Sequence, residues 1–236
     1  MNMNGKVIAI SGATGGLGPT VVNAFVQAGA TLALIDRKQA RLDALISSLK
    51  LPTERHLCQT IDLLNPQQTQ GWIQAIEQRF GHIDGLLHLV GGYRGGQAIA
   101  DFPDADWVLL NNLLSQTTWN VIHAFAAPLK ASQGQFVLVS SPQAQRPSHT
   151  NAAYAACKAA CEALTLALAD EFRGSGATAN IIQVNAILTP QMLSETPGGD
   201  YRTFTHADDI ASAMVFLCSA AGKAMNGQRL ALFEHT

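Results

Sequence analysis

One stretch decides the fold: Lys6-Val7-Ile8-Ala9-Ile10-Ser11-Gly12-Ala13-Thr14-Gly15-Gly16-Leu17-Gly18. In it an aliphatic strand, residues 6–10, runs into a glycine-rich turn that an amphipathic helix follows. A dinucleotide pyrophosphate is bound by backbone N–H groups at a helix N-terminus, where a Cβ atom would be in the way. Any tight strand-to-helix turn favours glycine, but the position after a first strand predicts a phosphate loop. Its predicted binding residues are Gly12, Thr14, Gly16, Leu17 and Gly18.

Short apolar segments alternate with longer segments of helical periodicity along the whole chain. The apolar segments have strand length and are aliphatic on both faces, which is typical of strands covered by helices on both sides. This alternation predicts an α/β fold, a Rossmann-type doubly wound sheet of about seven mostly parallel strands, in a single domain over residues 1–236. We expect strands at residues 6–10, 31–35, 56–61, 84–90, 135–140, 178–185 and 228–233, and helices beginning near Leu17, Gln39, Pro66, Asp104, Ala152 and His206.

The bulk composition argues against several classes of protein. Hydrophobic residues make up 47% and charged residues 14%, which is typical of a globular domain. A net charge of -2 gives no electrostatic reason to expect nucleic acid or an anionic membrane as a partner. No uninterrupted apolar run is long enough to span a bilayer, and residues 1–6 lack the apolar stretch of a signal peptide. The 4 cysteines have neither CxxC nor metal-ligand spacing, so we expect reduced thiols, no metal and a cytoplasmic location.

Acidic residues follow the second and third predicted strands. Asp36 ends the second strand, where a carboxylate accepts hydrogen bonds from both ribose hydroxyls and repels a 2′-phosphate. This residue predicts NAD(H) as the preferred cofactor. Its neighbour Arg37 is either a solvated loop charge or a ligand for the 2′-phosphate of NADP(H), which stays an alternative. Asp62 is placed to bind the adenine amino group or, alternatively, to cap the helix that follows Asn65-Pro66.

Tyr154 and Lys158 form the candidate reaction centre. Their i, i+4 spacing places both side chains on one face of an alanine-rich helix. A free phenol has a pKa of about 10, and a nearby ammonium together with a positive nicotinamide ring would lower it for proton exchange with a carbonyl or alcohol oxygen. Such pairs are common on helices. The support comes from Ser141, which follows a strand at the sheet edge where ligands bind and could orient the substrate oxygen, or could alternatively form a turn before Pro142.

The glycine loop, the two acidic residues, the serine and the Tyr/Lys pair, in this order, resemble the short-chain dehydrogenases/reductases over residues 6–232. The resemblance implies hydride transfer between NAD(P)(H) and a small carbonyl/alcohol substrate. It also implies a catalytic asparagine before the fifth strand, for which Asn112 is a better match than Asn111. Family members pair the Tyr154 helix across a two-fold axis, which implies a homodimer or homotetramer. The catalytic set is then Asn112, Ser141, Tyr154 and Lys158, and the cofactor set gains Leu63, Val90, Gly91, Tyr154, Lys158 and Thr189.

The sequence departs from this family pattern at three places. His88 stands where relatives carry asparagine, and a lone histidine on a buried strand is more often a core residue than a catalyst. The chain reads Asn185-Ala186-Ile187-Leu188-Thr189-Pro190 without interruption, lacking about four residues that relatives have there, which affects how the nicotinamide is held. The substrate loop, residues 192–204, is short and predicts a small or open lid.

Two segments also resemble the dihydropteridine reductases and related bacterial short-chain enzymes. Residues 90–96, VGGYRGG, match their Gly-Gly-Trp-x-Gly-Gly segment, and residues 196–204 match their Met-Pro-x-Ala-Asp-x-x-x-Trp segment. Tyr93 could stack on a flat heterocycle, or the glycines could simply relieve strain in a surface loop. Those reductases generally lack the catalytic serine, so Ser141 favours an ordinary carbonyl/alcohol substrate. The alternatives are a pterin-type reductase and a dinucleotide-binding sensor without catalysis.

Overall fold

A seven-stranded parallel sheet forms the centre of the computed structural model, which describes residues 1–233. Seven of the strands are paired in the order β3-β2-β1-β4-β5-β6-β9, so the winding direction reverses between β1 and β4. This order confirms the predicted doubly wound α/β fold. Two short strands, β7 and β8, pair in parallel outside the sheet. The strands are β1 (Val7–Ser11), β2 (Thr31–Asp36), β3 (His56–Thr60), β4 (Gly85–His88), β5 (Gln135–Ser140), β6 (Thr178–Gln183), β7 (Ala186–Leu188), β8 (Phe204–His206) and β9 (Arg229–Ala231).

Helices cover both faces of this sheet. One apolar layer packs β1–β6 against α3, α5 and α6 around Trp72 and Phe125, and the other packs them against α1, α2 and α8 around Phe25. The strands are therefore apolar on both faces, as their sequences predicted. The helices are α1 (Gly18–Gln27), α2 (Gln39–Leu49), α3 (Pro66–Phe80), α4 (Asp104–Leu110), α5 (Thr117–Ser132), α6 (Ala152–Glu171), α7 (Pro190–Glu195) and α8 (Ala207–Leu217).

The predicted element boundaries differ from the structure mainly at strand ends. The predicted strand 84–90 ends at His88, and the predicted strand 178–185 ends at Gln183. In both cases the chain leaves the sheet at its carboxyl edge to form the walls of a cleft. The predicted domain of residues 1–236 includes residues 234–236, which lie outside the described residues.

Helix α6 is the one described helix that is long and apolar enough to cross a membrane by length and composition. It is a core helix of this fold, because its buried face packs on β5, β6 and α5. The buried carboxylate of Glu162 ties it to the sheet: Arg229 Nε lies 2.6 Å from Glu162 Oε2, and Gln183 donates to Glu162 Oε1 at 2.8 Å. The helix that carries Tyr154 and Lys158 is thus fixed to β6 and β9.

Candidate active site

A cleft of about 1360 Å³ opens at the carboxyl ends of β1, β2, β4, β5 and β6. This is the place where open α/β sheets bind ligands, at the reversal of strand order. Of the predicted site residues, Thr14 alone does not line the cleft; it lies behind Asp36 and donates its hydroxyl hydrogen to that carboxylate. The predicted residues that line the cleft are Gly12, Gly16, Leu17, Gly18, Asp36, Arg37, Asp62, Leu63, Val90, Gly91, Asn112, Ser141, Tyr154, Lys158 and Thr189.

The glycine loop forms a cradle that side chains would fill. Gly12 has a φ of +74°, and a Cβ there would lie 3.1 Å from the backbone nitrogen of Val90. A Cβ at Gly18 would collide with the carbonyl oxygen of Ala13. At Gly16 the space is open, since the nearest atom to a Cβ would be Thr189 Cγ2 at 3.6 Å. With no side-chain cap on the first turn of α1, the loop fits a pyrophosphate at a helix N-terminus.

Asp36 lies at the ribose end of the cleft. Its carboxylate accepts hydrogen bonds from Thr14 Oγ1 and from the backbone nitrogen of Lys38, the latter at 3.0 Å. Arg37 lines the cleft, and so does Arg41, which the sequence analysis missed. Arg37 lies just before α2 and Arg41 lies in its first turn, so a second basic residue soon after Asp36 was the available signal. The ribose end therefore holds one carboxylate between two exposed guanidinium groups.

Asp62 and Asn65 have separate tasks after β3. Asn65 caps α3, since its Oδ1 accepts from Gln68 N at 3.1 Å. The alternative that Asp62 is the cap of this helix is wrong. Asp62 Oδ1 accepts instead from Leu64 N at 3.0 Å, in a short turn that leaves the exposed carboxylate on the cleft wall.

Lys158 is anchored to the sheet, below the ring of Tyr154. Its Nζ donates to the carbonyl oxygen of Val139 at 2.9 Å and lies 6.0 Å from the centroid of the Tyr154 ring. Burial lowers the pKa of Lys158. Burial raises the pKa of Tyr154 to about 12, against the opposing effect of a hydrogen bond with Ser141. The lowered phenol pKa expected from the sequence is therefore not what the protein alone produces, and Tyr154 is protonated at neutral pH.

Ser141 forms the turn that the sequence offered as one of its two roles, and its role toward a substrate stays a prediction. Its hydroxyl oxygen accepts from Gln143 N at 3.3 Å and so caps the turn Pro142–Ala144. The same hydroxyl lies beside the Tyr154 phenol and lowers its pKa against the effect of burial. The side chain is buried, yet it lines the cleft. Ser141 is therefore held in place by its own turn while facing Tyr154.

Asn112 lies in a π-helical turn, Asn111–Gln116, between α4 and α5. Such widened turns are frequent at functional sites because they reorient side chains on an otherwise regular helix. Two threonines hold the widened turn: Thr117 Oγ1 donates to Leu113 O and Thr118 Oγ1 donates to Leu114 O, both at 2.7 Å. Asn112 lines the cleft, whereas Asn111 does not.

His88 is a buried, hydrogen-bonded histidine, as the sequence predicted. Its Nδ1 lies 2.7 Å from Ser11 Oγ, and its Nε2 lies 3.5 Å from Thr117 Oγ1. Burial, with a smaller contribution from the charge of Lys158, lowers the pKa of His88 to about 3. The imidazole is therefore neutral and joins the end of β1 to the start of α5.

Thr189 reaches the cleft although the chain before it is short. The pairing of β7 with β8 brings it beside the glycine loop, 3.6 Å from a Cβ placed at Gly16. Its Oγ1 caps α7 by accepting from Met192 N at 3.2 Å. The hydroxyl hydrogen stays available for a ligand.

Tyr93 stands over the reaction centre on the segment between β4 and α4. Its ring lies edge-on to the Tyr154 ring, with the centroids 5.3 Å apart, and its hydroxyl donates to Asn151 Oδ1 at 2.6 Å. Gly96 N donates to Thr150 O at 2.8 Å. These bonds join the glycine-rich segment to the residues just before α6. Both Tyr93 and Asn151 line the cleft; the sequence offered Tyr93 as a stacking surface for a heterocycle, whereas it gave no role to Asn151.

Comparison with known proteins identifies the family. The profile of the short chain dehydrogenase family matches residues 6–198, and the chain belongs to this family of oxidoreductases, which bind nicotinamide cofactors. The D-threitol dehydrogenase of Mycolicibacterium smegmatis is 29% identical over 241 residues, covering 98% of this chain and 92% of that protein.

Two solved structures show the same fold with different cofactors. One is an NAD⁺-bound xylitol dehydrogenase, with a TM-score of 0.85, 20% identity and 100% of both chains covered. The other is an NADPH-bound short-chain oxidoreductase with an atypical catalytic centre from Pseudomonas aeruginosa PAO1, with a TM-score of 0.88, 22% identity and 100% of both chains covered. At these identities the likeness concerns the fold alone.

Proposed function

We propose that this protein is an NAD(H)-preferring oxidoreductase that transfers hydride between the nicotinamide and a carbonyl/alcohol substrate, with Tyr154 as the acid/base. The observation that carries the proposal is the convergence of Ser141, Tyr154 and Lys158 on one cleft, where Lys158 Nζ is held by the Val139 carbonyl oxygen and lies 6.0 Å from the centroid of the Tyr154 ring. A tyrosine with only a structural role would not need Ser141 and Lys158 beside it in the cleft that the glycine loop also lines.

The reaction needs a proton and a hydride at adjacent atoms of the substrate. A nicotinamide cofactor held in this cleft would supply the hydride to the carbonyl carbon, or accept it in reverse. Ser141 donates a hydrogen bond that orients the substrate oxygen, and Tyr154 gives that oxygen its phenolic proton. The ammonium of Lys158 stabilises the phenolate that forms, while its bond to Val139 O keeps it in place. Asn112 supplies a polar group on the same wall of the cleft.

The preference for NAD(H) is supported by Asp36, whose carboxylate at the end of β2 would repel a 2′-phosphate. Arg37 and Arg41 on either side of it provide the opposite charge, and they support NADP(H) as the second cofactor. A pterin-type heterocycle is the second candidate substrate. It is favoured by the exposed ring of Tyr93, which lies edge-on to the ring of Tyr154 and could stack on a flat ligand.

The test is NADH oxidation in a broad carbonyl screen, with Tyr154→Phe as the key variant. This change keeps the ring but removes the proton, so we expect a loss of about a thousandfold or more in kcat with NADH binding within about twofold. Retained turnover in the variant would refute the role of Tyr154. Ser141→Ala separates the two substrate classes: a large loss supports a carbonyl substrate, and no loss on a quinonoid pterin supports the second candidate.

A cytoplasmic location and a homodimer or homotetramer complete the proposal. The location is supported by the 4 cysteines, all of them free and three of them buried, which suits a reducing compartment. The assembly is supported by exposed apolar surface on α5, where Trp119 stacks on His123 and is 50% exposed, and by exposed alanines on α6. Sedimentation of the protein and of Trp119→Glu tests the assembly, since a charge in an apolar interface should shift it toward monomer.

A further inference from the structure

Helix α4 turns an apolar stripe toward the reaction centre. Ala105, Val108 and Leu109 all line the cleft. Their i, i+3, i+4 spacing puts them on one face of the helix, and the next position of that face, i+7, is Asn112. The apolar stripe therefore ends at Asn112, one of the proposed catalytic residues.

Two side chains of this stripe are unusually exposed for aliphatic residues. Val108 is 53% and Leu109 is 43% exposed. Their exposed surface faces the cleft, so a molecule that enters the cleft covers them. Large apolar groups in contact with water beside a reaction centre indicate an apolar ligand, because covering them removes apolar area from water.

A cation stands at the same end of the cleft. The guanidinium of Arg94 donates from Nη1 to Tyr93 O at 2.9 Å, and its Nε lies 3.6 Å from Asp106 Oδ1. That ion pair is loose, and 55% of the arginine side chain is exposed. Within residues 1–233, the carboxylates that line the cleft are Asp36 and Asp62, which both lie at the opposite, adenosine end. The substrate end is thus positively charged.

We propose that the substrate is an amphipathic oxo acid or hydroxy acid. Its aryl or alkyl body packs on Ala105, Val108 and Leu109, and its carboxylate binds the guanidinium of Arg94. The reacting oxygen then lies between these groups, at Ser141 and Tyr154. This inference rests on the proposed function and names the substrate class for the same site. The planar fork of arginine suits a carboxylate, which it binds with two parallel N–H···O bonds.

The apolar half is tested with Val108→Ser and Leu109→Ser. Because both side chains are exposed, the changes should leave the fold intact. With phenyl-substituted 2-, 3- and 4-oxo acids as probes, we expect KM to rise by about tenfold for each variant. For methyl-substituted oxo acids of the same chain length, KM should change by less than about threefold, since they have little apolar surface to lose. Equal effects on both probe series would overturn this half.

Trp107→Ser is the matched control. Trp107 is on the same helix and is 43% exposed, but it faces a separate pocket of about 280 Å³ with Ile99 and Phe102 instead of the cleft. We expect this variant to keep the wild-type KM for every probe. A tenfold rise in the control would show that the effect comes from disturbing α4, and it would remove the support for the stripe.

The anionic half is tested with Arg94→Gln and with each oxo acid against its methyl ester. Loss of a charge-assisted bond should raise KM for the acids by about 10- to 100-fold and for the esters by less than about threefold, with Arg94→Lys in between. If the wild-type protein prefers the esters over the acids, the carboxylate assignment is overturned.

The failures of the two proposals are distinguishable. If wild type reduces other carbonyl compounds but none of the oxo acids, the substrate class is wrong and the proposed function stands. If NADH binds and no carbonyl compound reacts, the proposed function fails, and the substrate inference fails with it.

Discussion

Lys158 directs its ammonium at the sheet: Nζ donates to the Val139 carbonyl oxygen at 2.9 Å and lies 6.0 Å from the centre of the Tyr154 ring. The i, i+4 pair therefore does not form a direct phenol–ammonium bond in this state. Burial acts on both groups and favours the neutral form of each, lowering the pKa of Lys158 and raising that of Tyr154. In the proposed reaction, the phenol therefore holds its proton until a substrate oxygen takes it.

This arrangement predicts different pH profiles for the two reaction directions. The pKa of Tyr154 is raised to about 12, so the acid form persists through the neutral and mildly alkaline range. We expect kcat/KM for carbonyl reduction to be flat between about pH 6 and pH 9, and kcat/KM for alcohol oxidation, which needs the phenolate, to rise with pH. Profiles of both directions on one substrate pair check this. A reduction rate that falls by tenfold between about pH 7 and pH 8 would contradict it.

The glycine loop predicts different consequences for two neighbouring glycines. Gly16→Ala places its Cβ in open space near Thr189, so we expect a folded protein with NADH affinity reduced by at least about tenfold. Gly18→Ala drives its Cβ into the Ala13 carbonyl oxygen and should lower the free energy of unfolding by about 1–3 kcal/mol. Thermal unfolding and NADH fluorescence titration separate the two effects.

Gly198→Ala is the control for both, because nothing lies within 4 Å of a Cβ there. It should leave stability and NADH affinity unchanged. If Gly16→Ala binds NADH as wild type does, the phosphate does not lie against that glycine.

The sequence predicts those parts of the site that depend on local pattern. The turn from β1 into α1, the acidic end of β2 and the Tyr154/Lys158 spacing are each contained in a few consecutive residues, and the structure places all of them on the cleft. Parallel strands end at one edge of the sheet, so local motifs meet there without knowledge of the loops.

The remaining parts depend on how distant segments fold back on each other. The sequence gives no sign that Tyr93 lies edge-on to Tyr154, because that contact depends on the path between β4 and α4. The widened turn that carries Asn112 is an exception, because Thr117 and Thr118 bond to carbonyl oxygens only four residues earlier; such bonds also occur in regular helices, so these threonines do not predict a widened turn from sequence. The sequence predicts that the ammonium and a nicotinamide ring together lower the pKa of Tyr154, whereas in the protein alone burial, a tertiary property, raises it.

Replacing Asp36 should change the preference between NADH and NADPH. Asp36→Ser removes the carboxylate that repels a 2′-phosphate and leaves Arg37 and Arg41 beside it. We expect KM for NADH to rise by about 10- to 100-fold and KM for NADPH to fall, because a charged hydrogen bond is lost and a repulsion is removed. Asp62→Asn is the control, since a change at the adenine end should affect both cofactors equally. Unchanged cofactor discrimination in Asp36→Ser would show that the arginines alone decide it.

The lowered pKa of the buried His88 predicts that the free energy of unfolding decreases in acid. Its pKa in the folded protein is lowered to about 3 from an ordinary value of 6.5. Below pH 6.5 the unfolded chain therefore binds a proton that the folded protein does not bind. Stability is therefore fully present above pH 6.5 and falls as the pH decreases toward about 3, by about 1.4 kcal/mol for each pH unit from this group. Between pH 6 and pH 4.5, wild type should lose about 2 kcal/mol more than His88→Asn, whose amide can still accept from Ser11.

Thr117→Val is the comparison variant: it removes the Nε2 partner but keeps the imidazole, so its stability should be lower at every pH with the wild-type slope. Urea unfolding at several pH values measures both quantities, and equal slopes for wild type and His88→Asn would show that the imidazole accepts a proton without unfolding.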